Sequence, residues 1–160
     1  CPRGVLFVAT TVRHFCGGFG DSADQRDPRI PPARIHGGAK HRVQALKSRA
    51  DLAAMNYDLD AGRILMREFD LITVMLVWVE NDRQFHSRNA FASGGVLEDP
   101  ATGAASAAFA GYLRDIGWDH GGLIEIVQGE DMGSKSAITA EFSNTPGSSI
   151  KVSGAARTII

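Results

Sequence analysis

Apolar and polar positions along this chain alternate in short blocks, separated by glycine, proline and charge. The run "GVLFVATTV" (4–12) predicts a buried strand over 5–12. From 16 to 39 the text "CGGFGDSADQRDPRIPPARIHGGA" has no period and is dense in Gly, Pro and charge, which predicts a loop or linker. "HRVQAL" (41–46) alternates and predicts a strand. Ser48 followed by Asp51 gives a capping-box-like start to a short helix over "SRADLAAM". A second helix is predicted over 58–68, where Leu59, Ile64, Leu65 and Phe69 fall near helical spacing. The runs "LITVMLVWV" (71–79) and "QFHSRNAF" (84–91) flank the polar turn "ENDR" and predict a hairpin. Three more strand-like runs follow, "LIEIVQG" (123–129), "SAITAEF" (136–142) and "IKVSGAARTII" (150–160). With no internal repeat, the pattern describes a sheet-rich α+β domain.

Between the hairpin and the last three strands lies "GGVLEDPATGAASAAFAGYL" (94–113), an acid–proline step leading into a helix of small residues. Asp99 is placed to be its N-cap, Pro100 its first helical residue, and Thr102 part of its first turn. The opening amides of such a helix lack intrahelical partners and carry the positive end of its dipole, so they suit a carboxylate or phosphate. Gly103, and Gly94 with Gly95, would let backbone approach a ligand closely. Small residues on every face predict a helix enclosed by strands. The motif alone fits a purely structural capped helix equally well. Glu98 beside Asp99 tilts the balance, because adjacent acids against an apolar helix are costly unless paired, hydrogen-bonded or used. If both faced one cleft, Glu98 would raise the pKa of Asp99 by repulsion.

Composition narrows the remaining classes. The chain has 160 residues, enough for one domain, with 44% apolar and 22% charged positions. A net charge of −1 gives no electrostatic case for nucleic acid or an anionic membrane. No apolar run has the length of a membrane span. Cys1 and Cys16 form no CxxC pair, which fits a reducing compartment and an expected cytoplasmic location. The chain begins with Cys rather than Met, which points to a fragment or processed product. His14, His36, His41, His86 and His120 are scattered, so no metal site is expected. The turn "QGEDMGSKS" (128–136), with Gly129 and Gly133, reads either as a hairpin loop or as a binding loop near the small helix.

Three segments together carry a family resemblance: "RNAFASGGVLEDPATGAASAAFAGYLRDIGW", "IEIVQGEDMGSKS" and "IKVSGAARTI". They are similar to the C-terminal domain of the PhzF-like phenazine biosynthesis family, which has the diaminopimelate epimerase-like fold. The resemblance covers 27–160 and leaves 1–26 poorly matched. It implies a β-barrel wrapped around the central small-residue helix, with the active site in a cleft between two such domains. It further implies cofactor-independent isomerase or epimerase chemistry, a proton moved next to a carboxylate or carbonyl, and no metal. Asp99 is then the catalytic group of this domain, facing a glutamate of the N-terminal domain across the cleft. Ala101, Thr102, Gly103 and Ala104 bind substrate at the helix start. The implied partners are a small carboxylate-containing metabolite and, for the full-length family, a second copy in a homodimer. Two departures stand out. The N-terminal motif with the family's glutamate is not present, and Ala104 stands where many members have Ser. The alternative is therefore a non-catalytic half that serves as a ligand-binding or association module.

Overall fold

Residues 23–155 are described by the structure, a computed structural model; the strand expected over 5–12 lies outside them. Eight strands form one mixed sheet: β1 (Ala33–His36), β2 (Lys40–Leu46), β3 (Thr73–Asn81), β4 (Gln84–Ala90), β5 (Glu98–Asp99), β6 (Leu123–Gln128), β7 (Ser136–Glu141) and β8 (Lys151–Gly154). The spatial order is β1-β2-β3-β4-β6-β7-β8, with β5 paired to β4. Neighbours run antiparallel except at β2–β3 and β4–β6. These two parallel joins need crossovers, and the crossovers supply the helices. The first carries α1 (Arg49–Ala53) and α2 (Leu59–Glu68), and the second carries α3 (Gly103–Asp115).

The two crossovers cover opposite faces of the sheet. The sheet curls into a half-barrel whose concave face holds α3. Val43, Met75, Val77, Phe85, Ile126 and Ile138 pack there against Phe109, Ala110 and Leu113 of α3. On the convex face Val74, Leu76 and Ala90 pack against Leu52 of α1 and Met66 of α2. Burial on both faces explains why β3 reads as a nearly continuous apolar run, whereas β2 is buried although its residues alternate apolar with polar.

Local signals set the convex helices as expected. Ser48 caps α1 by accepting from the Asp51 amide, and Asp58 caps α2 by accepting from the Ala61 amide. The expected apolar stripe of α2 is corrected at one place: Ile64 is exposed, and Met66 is the fully buried anchor. The supposed loop over 16–39 is also corrected. It contains a 3-10 turn (Ala23–Gln25) and the strand β1, which pairs Ala33 with Val43 and His36 with Lys40.

Enclosure of α3 is partial. Ala105, Ser106, Phe109, Ala110 and Leu113 are fully buried, whereas Gly103 and Ala104 are exposed and Ala107 and Gly111 half-buried. Ala107 and Gly111 line a groove of about 550 Å³ between β1 and the segment around Ser148. Gly37 at the end of β1 sits so close to α3 that a Cβ there would stand 2.7 Å from the Ala104 carbonyl. Among the described residues no helix is long and apolar enough to cross a membrane.

Candidate active site

Strand register decides which polar side chains reach the concave face. Asn89 pairs with Met75, and Ser87 pairs with Val77, both concave core residues. Asp99 pairs with Asn89 and Gln128 with Ser87, so Asn89, Asp99 and Gln128 share that face. Glu98 pairs with Ala90 and therefore points to the convex side. Successive residues of a strand face opposite ways, so the two acids do not form a pair. The expected repulsion between Glu98 and Asp99 is corrected accordingly.

Glu98 instead meets Arg88, whose Nη2 lies 2.8 Å from Oε2 and whose Nε lies 3.1 Å from Oε1. Arg88 Nη1 also donates to the carbonyls of Ala53 and Met55 at the end of α1. Tyr57 donates its hydroxyl to the Leu97 carbonyl, and burial pushes that phenol up to about 12. The convex side thus anchors the strand that carries Asp99.

The helix start also differs from expectation. Asp99 belongs to β5 rather than capping α3; the N-cap is Thr102, and the first helical residue is Gly103. Pairing with β4 keeps Asp99 extended, which moves the cap three residues on. Asp99 still touches the cap: the Thr102 hydroxyl donates to Asp99 Oδ2 at 2.6 Å. Gln128, fully buried, binds this corner together. Its Nε2 donates to the Asp99 carbonyl at 2.6 Å and to Thr102 Oγ1 at 3.0 Å. Its Oε1 accepts from the Thr102 amide at 3.2 Å and from Asn89 Nδ2 at 3.1 Å. Asn89 Oδ1 is buried with no partner among the described residues. Gly129 then turns the chain at φ +75°, so close that a Cβ would lie 2.4 Å from the Ser134 carbonyl and 2.9 Å from that of Pro100.

A half-exposed carboxylate thus lies at the open end of α3, on the concave face of this half-barrel. A family model described as phenazine biosynthesis-like protein, PhzC-PhzF, matches residues 13–160. The chain belongs to the PhzC-PhzF family.

Solved structures agree in fold. A PhzF-family phenazine biosynthesis protein from Bacillus anthracis superposes with a TM-score of 0.70 at 15% identity, over 87% of this chain and 49% of its own. A predicted epimerase from Pseudomonas aeruginosa gives 0.70 at 21% identity, over 98% of this chain and 54% of its own. A PhzF-family protein from Enterococcus faecalis gives 0.60 at 16% identity, over 94% and 48% respectively. The chain thus spans about half the length of these relatives. No curated protein sequence matches it.

Of the residues expected to form the family's site, Asp99, Thr102, Gly103 and Ala104 come together at the start of α3, with Ala101 exposed beside them. In the first turn of α3 the amides have no carbonyl four residues back within the helix. They carry the positive end of its dipole toward the Asp99 corner. Gln128 and Asn89 are the additions that sequence reasoning missed. The visible signal was a glutamine closing the inward series Ile124, Ile126, Gln128 just ahead of the Gly129 turn. Among the described residues no group of three or more His, Cys, Asp or Glu could hold a metal ion.

Proposed function

We propose that this chain forms one wall of a PhzF-like isomerase site, in which Asp99 exchanges a proton with a carboxylate-bearing small molecule. The observation that carries the reading is the Asp99 carboxylate, half-exposed beside the opening amides of α3, with Oδ2 tied to Thr102 and Oδ1 without a partner among the described residues. The amides of Gly103 and Ala104 hold the substrate carboxylate, as helix N-termini hold anions elsewhere. Asp99 takes the proton from the neighbouring carbon, and the electron pair of the broken bond delocalises into the carbonyl or carboxylate. Negative charge developing there is stabilised by the same amides and the helix dipole. The second acid or base is expected from another domain facing this one, and no cofactor is required.

Family membership and the shared epimerase-like fold support this class of reaction. The test is proton exchange with solvent in the full-length protein. Small carboxylates incubated in D2O are read by NMR for deuterium at the carbon next to the carboxylate. Exchange that Asp99→Asn abolishes supports the reading, and exchange unaffected by Asp99→Asn in a folded protein overturns it.

A second reading is an association module. Val96, Leu97 and Met132 are exposed apolar side chains next to Glu98 and in the turn after Gly129. Apolar groups rimming a site favour a covering partner. Size-exclusion chromatography of the isolated chain tests this: a dimer supports it, and a monomer that gains no mass when mixed with an N-terminal domain contradicts it.

A further inference from the structure

The hydrogen bonds around Gln128 have a direction, and the direction can be read without seeing hydrogens. The Thr102 amide only donates, so the Gln128 atom facing it at 3.2 Å is the oxygen. The Asp99 carbonyl only accepts, so the atom facing it at 2.6 Å is the Gln128 nitrogen. Both contacts set the same orientation of the carboxamide. That nitrogen carries two hydrogens. One goes to the Asp99 carbonyl, and the other goes to Thr102 Oγ1 at 3.0 Å. The Thr102 oxygen therefore spends a lone pair on Gln128, and its single proton is directed to Asp99 Oδ2 at 2.6 Å. Asn89 reinforces the orientation by donating to the Gln128 oxygen at 3.1 Å.

We infer that Gln128 acts as a positioning residue that sets the Thr102 hydroxyl as a donor to Asp99 Oδ2 and leaves Oδ1 as the oxygen through which Asp99 gains and loses a proton. Protonation at Oδ2 would turn its new O–H toward Thr102, and the Thr102 hydroxyl proton would then have no acceptor. Leaving a partly buried donor unpaired is unfavourable, whereas Oδ1 takes a proton without breaking any bond in the corner. When a carbon–hydrogen bond of the substrate breaks, its proton moves to Oδ1 and its electron pair stays with the substrate. The reverse step returns a proton from Oδ1, which exchanges with solvent between the two steps. Substrate must therefore approach from the Oδ1 side. This inference rests on Asp99 as the proton-transfer group.

The test is hydrogen exchange of the Thr102 hydroxyl proton and the two Gln128 carboxamide protons, followed by NMR in the 160-residue chain labelled with 15N and 13C, the carboxamide pair being assigned by its loss in Gln128→Glu. Thr102→Val removes the acceptor of one carboxamide proton and is expected to speed its exchange about tenfold, while the proton held by the Asp99 carbonyl keeps its rate. Thr102→Ser keeps the hydroxyl and is expected to restore the wild-type rates. Asp99→Ala removes the acceptor of the Thr102 hydroxyl and is expected to speed exchange of that proton about tenfold. Unchanged carboxamide rates in Thr102→Val, with the amide spectrum otherwise preserved, overturn the inference. So does a Thr102 hydroxyl proton whose exchange Asp99→Ala leaves unchanged. These rates are read without turnover. A failed deuterium-exchange test would therefore remove the catalytic reading of Asp99 while leaving the hydrogen-bond direction standing, and the converse outcome is equally distinguishable.

Discussion

Arg88 and Glu98 form a buried, bidentate ion pair behind the candidate site, with 12% and 5% of their side chains exposed and a closest contact of 2.8 Å. The pair joins β4 to β5, and Arg88 extends the join to the end of α1 through the Ala53 and Met55 carbonyls. Removing Arg88 leaves Glu98 as a buried charge without its ion pair, and removing Glu98 leaves Arg88 only the longer 3.9 Å contact to Asp131. Glu98→Gln or Arg88→Met is therefore expected to destabilise the chain by about 3–5 kcal/mol. The double variant is expected to lose less than the two singles added together. Urea unfolding of the four proteins measures this directly; additive losses would show that the pair is not coupled.

Gly129 holds a left-handed conformation at φ +75° against the backbone of Ser134 and Pro100. A side chain there meets both strain and collision, so Gly129→Ala is expected to cost about 1–3 kcal/mol. It also pushes the 129–135 turn away from Pro100 and so disturbs the Asp99 corner. Amide chemical-shift changes at Thr102 and Gly103 are the accompanying readout, and a Gly129→Ala chain with wild-type stability would contradict the packing described.

His41 is buried, with Nδ1 2.8 Å from Thr73 Oγ1. Burial first, and the nearby His36 second, hold its imidazole below the ordinary range. A folded value below the free value means that the unfolded chain takes up the proton first as pH falls. Stability is complete above about pH 6.5 and declines below it until the folded imidazole is itself protonated. Each unit of difference corresponds to about 1.4 kcal/mol. Thermal unfolding between pH 7 and pH 5 is expected to show this decline, and His41→Asn is expected to flatten it. An equal slope in the variant would assign the decline to other groups.

The caps of the convex helices are independent of the site. Ser48→Ala and Asp58→Ala are each expected to cost about 1 kcal/mol of stability and to leave the Asp99 corner unchanged. Denaturant midpoints combined with NMR shifts of Thr102 check both halves of that statement.

The Ser48 cap was legible because it is local: Ser48 binds the amide three residues ahead in the chain. The hairpin of β3 and β4 was equally legible from its polar turn. Two misreadings came from non-local pairing. Ala33–His36 is a strand only because β2 lies beside it, and Pro31–Pro32 and Gly37–Gly38 hide it in the text. Asp99 looked like a cap because Asp-Pro commonly opens helices, but its register with Asn89 kept it in the sheet. The acid–proline step therefore sits ahead of the helix, whose cap is Thr102 and whose first residue is Gly103. Gln128 stayed unremarked because its role depends on atoms of Asp99 and Thr102 brought together by the β4–β6 crossover. Ile64 shows the limit of counting helical spacing alone, since apolar type and period placed it inside and the packing of Met66 left it outside.

The central claim is that Asp99 is the proton-transfer group of this half of the site. Deuterium exchange at the carbon next to the carboxylate, measured in D2O for the full-length protein and its Asp99→Asn variant, tests it most directly. The account predicts exchange that falls at least a hundredfold in the variant, within the usual contribution of a positioned acid or base, about 10²–10⁴-fold. Undiminished exchange in folded Asp99→Asn protein would contradict it.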